Sequence, residues 1–335
     1  MTVFGHCWPM PVEVIDWEAW GFGFHDYAGW NARLGVSIIR LFNVSWPEIE
    51  TSPNQYDFVT CRLDDSIRRI RDAGMQIYLN PSPRPGQAPA PAWHQVASSK
   101  PPLPCIDTAA LERFAAALAE KYGQDVAMWG WGNENDSTWD SIGVLASTAY
   151  GGDWSTPAGH QFAQYTLPFA RGIRSRLPDA TIAGPETMTY GYASTMLQAE
   201  NDLIATSGEH RATDIVSTHG YAMTGHFPED ALKRLAGEGD TLENWMKEGN
   251  ALNGRREMIG EVGIEHGEDP QGLLTYAQKV RAMNRFQYVF FHDLDSWLTS
   301  GRPAKPKSLV ENDLYSEMQD FLRNIKHPGV SHAFG

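Results

Sequence analysis

The sequence predicts a single (β/α)8 barrel spanning residues 1–335. Three observations carry that expectation. Eight short runs rich in β-branched or aromatic residues recur along the chain, and longer stretches with apolar residues three or four apart lie between them. No glycine-rich loop of the G-x-G-x-x-G kind follows the first run, where an open doubly wound sheet would carry one. The length and the 42% hydrophobic content suit one large core. No linker, tandem repeat or low-complexity segment interrupts the alternation.

In order, the strand runs are residues 3–7, 37–43, 76–80, 127–132, 181–185, 214–218, 257–260 and 287–292. Between them, "LDDSIRRIRDAG" at 63–74 places Ile67, Ile70 and Ala73 on one side, with Gly74 as a C-cap signal. "AALERFAAALAEKYG" at 109–123 is opened by Asp107-Thr108 as cap and closed by Gly123. "PQGLLTYAQKVRAM" at 270–283 begins with proline near its first turn.

Composition narrows the function classes. The formal net charge is −14 and no basic stripe gathers, which argues against nucleic acid and anionic membrane as partners. Much of the content of 12 Trp, 12 Tyr and 14 Phe belongs in a core, and Trp in such numbers also suits stacking on the apolar faces of sugars. Cys7, Cys61 and Cys105 lack the paired spacing of a zinc or redox site. No run approaches the roughly 20 apolar residues of a membrane span. Met1-Thr2 leads straight into the first strand run without a signal-peptide pattern. Two readings stay open, a cytoplasmic protein or a secreted one whose signal peptide has been removed. Nothing in the sequence sets an oligomeric state.

In such a barrel the catalytic groups come from the C-terminal ends of strands. Polar residues gather there. The first run ends in His6; the second carries Arg40 and leads through Asn43 to Trp46. The third ends in Asn80 and continues into "PSPRPGQAPAPAW", which reaches Trp93. The fourth gives "WGWGNEND", with Asn133, Glu134 and Asp136, and the fifth gives Glu186. The sixth gives His219 and Tyr221, the seventh Glu261, and the eighth leads through Asp293 and Asp295 to Trp297. Glu134 and Glu261 thus face one another across the mouth. Glycoside hydrolysis needs such a pair, one carboxylic acid to protonate the leaving oxygen and one carboxylate to attack or to activate water. The acid needs a raised pKa, from desolvation and a negative neighbour; the nucleophile needs donors such as Arg40 and Tyr221 to stay ionised. Glu265, four residues on, is the rival to Glu261, but Glu261 directly ends "REMIG" and is better placed at the strand tip.

"WGWGNE" and "MIGEVG" resemble the strand-four and strand-seven signatures of clan A glycoside hydrolases. "IIRLFNVSWPEIETSPNQYDFVTCRLDDSIRRIRDAG" and "STHGY" resemble the β-xylosidase and α-L-iduronidase family (glycoside hydrolase family 39) and related bacterial exopolysaccharide hydrolases. The resemblance implies Glu134 as acid/base and Glu261 as nucleophile. It also implies that Asn133 binds the sugar 2-hydroxyl, that Arg40 and Tyr221 support the nucleophile, and that His219 lines the −1 subsite. No cofactor is implied. Those families continue Asn-Glu-Pro, whereas this chain has Asn135 and Asp136, placing Asp136 beside the acid or on the substrate. "APAPAW" echoes a β-galactosidase family of the same clan.

Each residue also has a plainer role open to it. Arg40 suits a buried ion pair, His219 and His6 suit satisfied structural histidines, and Trp93 and Trp297 suit core. Glu186 fits a structural or a substrate-binding role equally. Two further functional classes stay open: a metal-dependent barrel such as a sugar isomerase or amidohydrolase, and a carbohydrate-binding barrel without catalysis. His219, His226 and Glu229 lack H-E-x-x-H geometry, so no metal site is expected. The sequons at Asn43 and Asn135 fall at the expected mouth, where a glycan would block the cleft, and read as chance.

Overall fold

Eight parallel strands close on themselves in chain order. They are β1 (Val3–Pro9), β2 (Ile38–Phe42), β3 (Gln76–Leu79), β4 (Met128–Gly130), β5 (Ile182–Thr187), β6 (Ile215–His219), β7 (Arg256–Val262) and β8 (Phe286–His292). β8 returns to β1 in the register Val3↔Tyr288 to Cys7↔His292, which completes the barrel. The computed structural model describes residues 2–9, 27–42, 44–82, 90–96, 105–134, 156–188, 190–221, 227–236, 253–263, 271–292 and 313–324. All eight strand runs expected from the sequence are strands, each overlapping its prediction.

Helices α1 (Tyr27–Leu34), α2 (Leu63–Asp72), α3 (Thr108–Tyr122), α4 (Thr156–Arg174), α5 (Tyr190–Ser207), α6 (Glu229–Ala236), α7 (Gln271–Met283) and α8 (Asp313–Arg323) follow the strands. In α2, Ile67 and Ile70 are buried with Leu63, and Gly74 at φ +80° ends the segment in the left-handed region. In α3 the Asp107 carboxylate accepts from the Ala109 and Ala110 amides at 2.9 and 3.2 Å, as its N-cap position predicts. Gly123 closes α3 for a different reason than expected. Its φ is −59°, in the ordinary helical region, and a Cβ there would lie 2.6 Å from the Ala119 carbonyl and 2.8 Å from Leu177. Space, not handedness, keeps a glycine there.

Alternation along the strands sorts side chains into two layers. Cys7, Ile38, Phe42, Tyr78, Met128, Ala183, Ile215, Met258 and Phe290 fill the barrel. Their neighbours Ile39, Leu41, Ile77, Leu79, Trp129, Ile182, Val216, Ile259 and Val289 belong to a larger cluster that includes the helices' apolar faces. After β2 and β3, short antiparallel ladders pair Glu50–Ser52 with Gln55–Tyr56 and Gln95–Val96 with Cys105–Ile106. Among the described residues no helix is long and apolar enough to cross a membrane.

Candidate active site

The inward parity of β2, set by Ile38 and Phe42, carries Arg40 into the barrel, where it is fully buried. A buried guanidinium must be paired, and its planar fork can serve several acceptors at once. Arg40 Nη1 donates to Glu261 Oε2 at 2.8 Å. Nη2 donates to Asn80 Oδ1 at 2.7 Å and to Asn133 Oδ1 at 2.5 Å, and it lies 3.3 Å from Glu186 Oε2. Asn80 in turn donates to the Gly132 carbonyl at 2.8 Å, bracing the backbone just before Asn133. One arginine therefore binds the ends of β3, β4, β5 and β7 together.

Local backbone irregularity aims the acidic groups. The β5–β6 register skips at Glu186, and the β6–β7 register skips at Gly260. Bulges of this kind redirect a side chain across the sheet. Glu186 has φ +51° and Glu134 has φ +44°, conformations that non-glycine residues rarely adopt. The other described non-glycine residues with positive φ are Asn54, Arg62, Asn253 and Asn284. Glu134 and Glu186 are thus the two carboxylates held this way, and both point into one cluster.

His219 Nδ1 lies 3.2 Å from Glu134 Oε1, and its Nε2 lies 3.3 Å from Glu186 Oε2. The Tyr221 hydroxyl donates to Glu261 Oε1 at 2.8 Å, and the Tyr78 hydroxyl donates to Glu186 Oε1. One oxygen of Glu134 and one of Glu261 approach within 4.8 Å of each other. Burial alone would raise the Glu261 carboxyl, but His292, His219, Arg40 and the Tyr221 hydrogen bond outweigh it and bring its pKa down to about 2. Glu186 is likewise pushed up by burial and held below the usual carboxylate range by Arg40 and His219. Burial opposes a proton on His219, yet Glu261, Glu134 and Glu186 prevail and lift it to about 10. Burial and the adjoining carboxylates raise Tyr78 and Tyr221 well above the ordinary phenol, so both stay donors.

Of the residues singled out by sequence, Glu134, Glu261, Asn133, Arg40, Asn80, Glu186, His219 and Tyr221 meet in this cluster. His6 does not. Gly5 and Cys7 face inward, so His6 faces out, where its Nδ1 sits 2.8 Å from Asn31 Oδ1 of α1 and its ring lies beside Tyr27. Trp93 is 46% exposed and belongs to a separate network. There the buried Glu50 lies 2.8 Å from His94 Nε2 and accepts from the Trp46 indole at 2.6 Å and the Trp93 indole at 3.4 Å. Trp297 and Asp136 lie outside the described residues, as do Asn43, Asn135, Glu265, Asp293 and Asp295. Tyr78, Cys7 and His292 join the cluster without having been singled out. Their signal was parity, since each lies two residues from an inward position of its strand: Gly5 for Cys7, Asn80 for Tyr78 and Phe290 for His292.

No family model matches the chain, and no curated protein matches it. Solved structures do. An exo-β-1,4-mannosidase from an Opitutaceae bacterium (strain TAV5) superposes with a TM-score of 0.62 at 16% identity, over 96% of this chain and 59% of the mannosidase. An endo-β-1,4-glucanase from Xanthomonas axonopodis pv. citri gives 0.60 at 12% identity, over 98% of this chain and 100% of the other. A family 39 glycoside hydrolase from the gut symbiont Bacteroides cellulosilyticus WH2 gives 0.60 at 14% identity, over 97% and 64%. The chain therefore has the (β/α)8 fold that glycoside hydrolases use. It spans about three fifths of the length of the mannosidase and all of the glucanase.

Proposed function

We propose that this chain is a retaining β-glycoside hydrolase of clan A, nearest in character to family 39, acting on an oligo- or polysaccharide with an equatorial linkage. One observation carries the reading: two carboxylates, Glu134 after β4 and Glu261 on β7, come within 4.8 Å in opposite surroundings. Retaining enzymes hold their carboxyl groups about 5–5.5 Å apart, whereas inverting ones leave about 6.5–9.5 Å for a water. Glu261 has cationic and hydroxyl donors on both oxygens, which suits an ionised nucleophile. Glu134 stands at the more open edge with His219 behind it, as a proton donor must.

In the first step Glu261 attacks the anomeric carbon while Glu134 gives its proton to the departing oxygen, leaving a glycosyl ester on Glu261. Glu134, now a carboxylate, takes a proton from water, whose oxygen displaces Glu261 and restores both groups. Asn133 commits its oxygen to Arg40, which leaves its amide N–H groups for the sugar 2-hydroxyl. A metal-dependent barrel is the second reading, since Glu134, His219 and Glu261 also offer clustered donor atoms. Both ring nitrogens of His219 already face carboxylates, and Arg40 occupies the inner side of Glu261, so a cation there would meet a fixed positive charge.

The test is a pair of variants. Glu261→Gly should abolish hydrolysis, while Glu134→Ala should keep turnover of aryl glycosides with good leaving groups. Azide should rescue the two with products of opposite anomeric configuration. Wild-type rates in both variants would sink the assignment, and activity lost only on chelation would favour the metal reading.

A further inference from the structure

Glu186 has no role in the steps above, although the molecule commits much to it. It is completely buried, and its backbone is held at φ +51° on a bulge. A Cβ at position 260 would strike Glu186 Oε2 at 2.3 Å, so β7 keeps a glycine where the carboxylate lies. Three elements donate to it or pair with it: Arg40 of β2, Tyr78 of β3 and His219 of β6.

We propose, resting on the hydrolase reading, that Glu186 is a positioning residue for the acid/base Glu134. It acts by accepting the Nε2–H of His219 and thereby fixing the ring with Nδ1–H aimed at Glu134 Oε1. The geometry leaves Glu134 Oε2 to hold the proton destined for the leaving group. The groups facing this centre are Arg40 from β2, Tyr78 from β3, Glu134 after β4, Glu186 from β5, His219 from β6 and Glu261 from β7, with Cys7 of β1 and His292 of β8 alongside. Arg40 and His219 stand between the carboxylates Glu186 and Glu261, and losing Glu186 removes the acceptor that holds the His219 ring beside Glu134.

The experiment is Glu186→Gln, isosteric and still able to accept from Tyr78. On glycosides with poor leaving groups, kcat/KM should fall by about tenfold or more, while on activated aryl glycosides the loss should stay within roughly threefold. The imidazole 15N shifts of His219, assigned with His219→Asn, should titrate near pH 10 in the parent and clearly lower in the variant. In a His219→Asn background the selective loss should vanish, because the two residues act in series. Equal losses on good and poor leaving groups would mean that Glu186 acts through Arg40 on the nucleophile, and would overturn the proposal. An unmoved His219 titration would do the same. If Glu186→Gln does not fold, Glu186→Asp keeps the charge beside Arg40 but shortens the reach to Nε2, and it must show the same selective loss and lowered titration. A parent that hydrolyses no glycoside would strike the hydrolase reading alone, since the ring titration is read without substrate.

Discussion

Two buried charge clusters sit at opposite ends of the barrel and are built on different plans. At the ends where strands begin, Arg255 pairs with Glu200 at 2.9 Å, and the guanidinium also donates to the Thr213 carbonyl at 3.0 Å. Glu200 accepts further from the Ala212 and Thr213 amides and from the Thr213 hydroxyl at 2.7 Å. One cation meets one anion, and backbone amides with the Thr213 hydroxyl take up the remaining lone pairs. At the mouth, Arg40 serves Glu186 and Glu261 together with two asparagines, and His219 bridges Glu186 to Glu134. Carboxylates outnumber the permanent cation, so protonation has to settle the balance. A closed pair fixes the chain; an unbalanced set is poised for proton traffic.

The difference can be broken from either side. The largest effect belongs to the mouth: Glu261→Gln should lower kcat/KM by about 10⁴-fold or more while circular dichroism shows an intact barrel. The converse is Arg255→Ala, which strands Glu200 in the interior. It should cost about 3–5 kcal/mol, a Tm drop of roughly 5 °C, with the specific activity of the folded protein unchanged. A large activity loss in Arg255→Ala at full folding would erase the distinction.

The pH dependence sharpens it. Glu261 has its folded pKa depressed to about 2, so its stabilisation is present above the unfolded carboxylate value of ~4.3 and is lost as pH falls toward 2. His219 is raised to about 10, so its contribution is complete below ~6.5 and is lost as pH rises through 10. Glu261→Gln should therefore flatten the acid limb of Tm against pH, and His219→Asn the alkaline limb. Limbs unchanged by both variants would show that the mouth does not govern them. The smallest effect is at Trp93. If its exposed ring is a sugar platform, Trp93→Ala should raise KM by roughly three- to tenfold with kcat little changed; an unaltered KM would confine Trp93 to its contact with Glu50.

The barrel and most of its mouth were legible in the sequence because both follow from period. Strand runs of β-branched and aromatic residues, broken by helices with a 3.6-residue repeat, leave few other closed topologies. The residues that fell at strand ends were then bound to meet. Parity was the information left unused. Counting inward from Ile38 and Phe42 places Arg40 inside, and the same count on β1 turns His6 out against α1 and Cys7 in. On β3 and β8 it would have raised Tyr78 and His292. What no count supplies is a bulge: the skipped registers at Glu186 and Gly260 depend on three-dimensional crowding around the buried carboxylate, which no local pattern encodes.

The left-handed backbone of Glu134 has a consequence for how this protein can evolve. A glycine there would relax a conformation that costs a side-chain-bearing residue about 1 kcal/mol. Glu134→Gly would thus offset the lost contact with His219 by relieving backbone strain, while losing the group that the chemistry needs. A library selected for thermal survival alone would drift toward inert descendants, and only a screen that demands turnover would hold the glutamate in place.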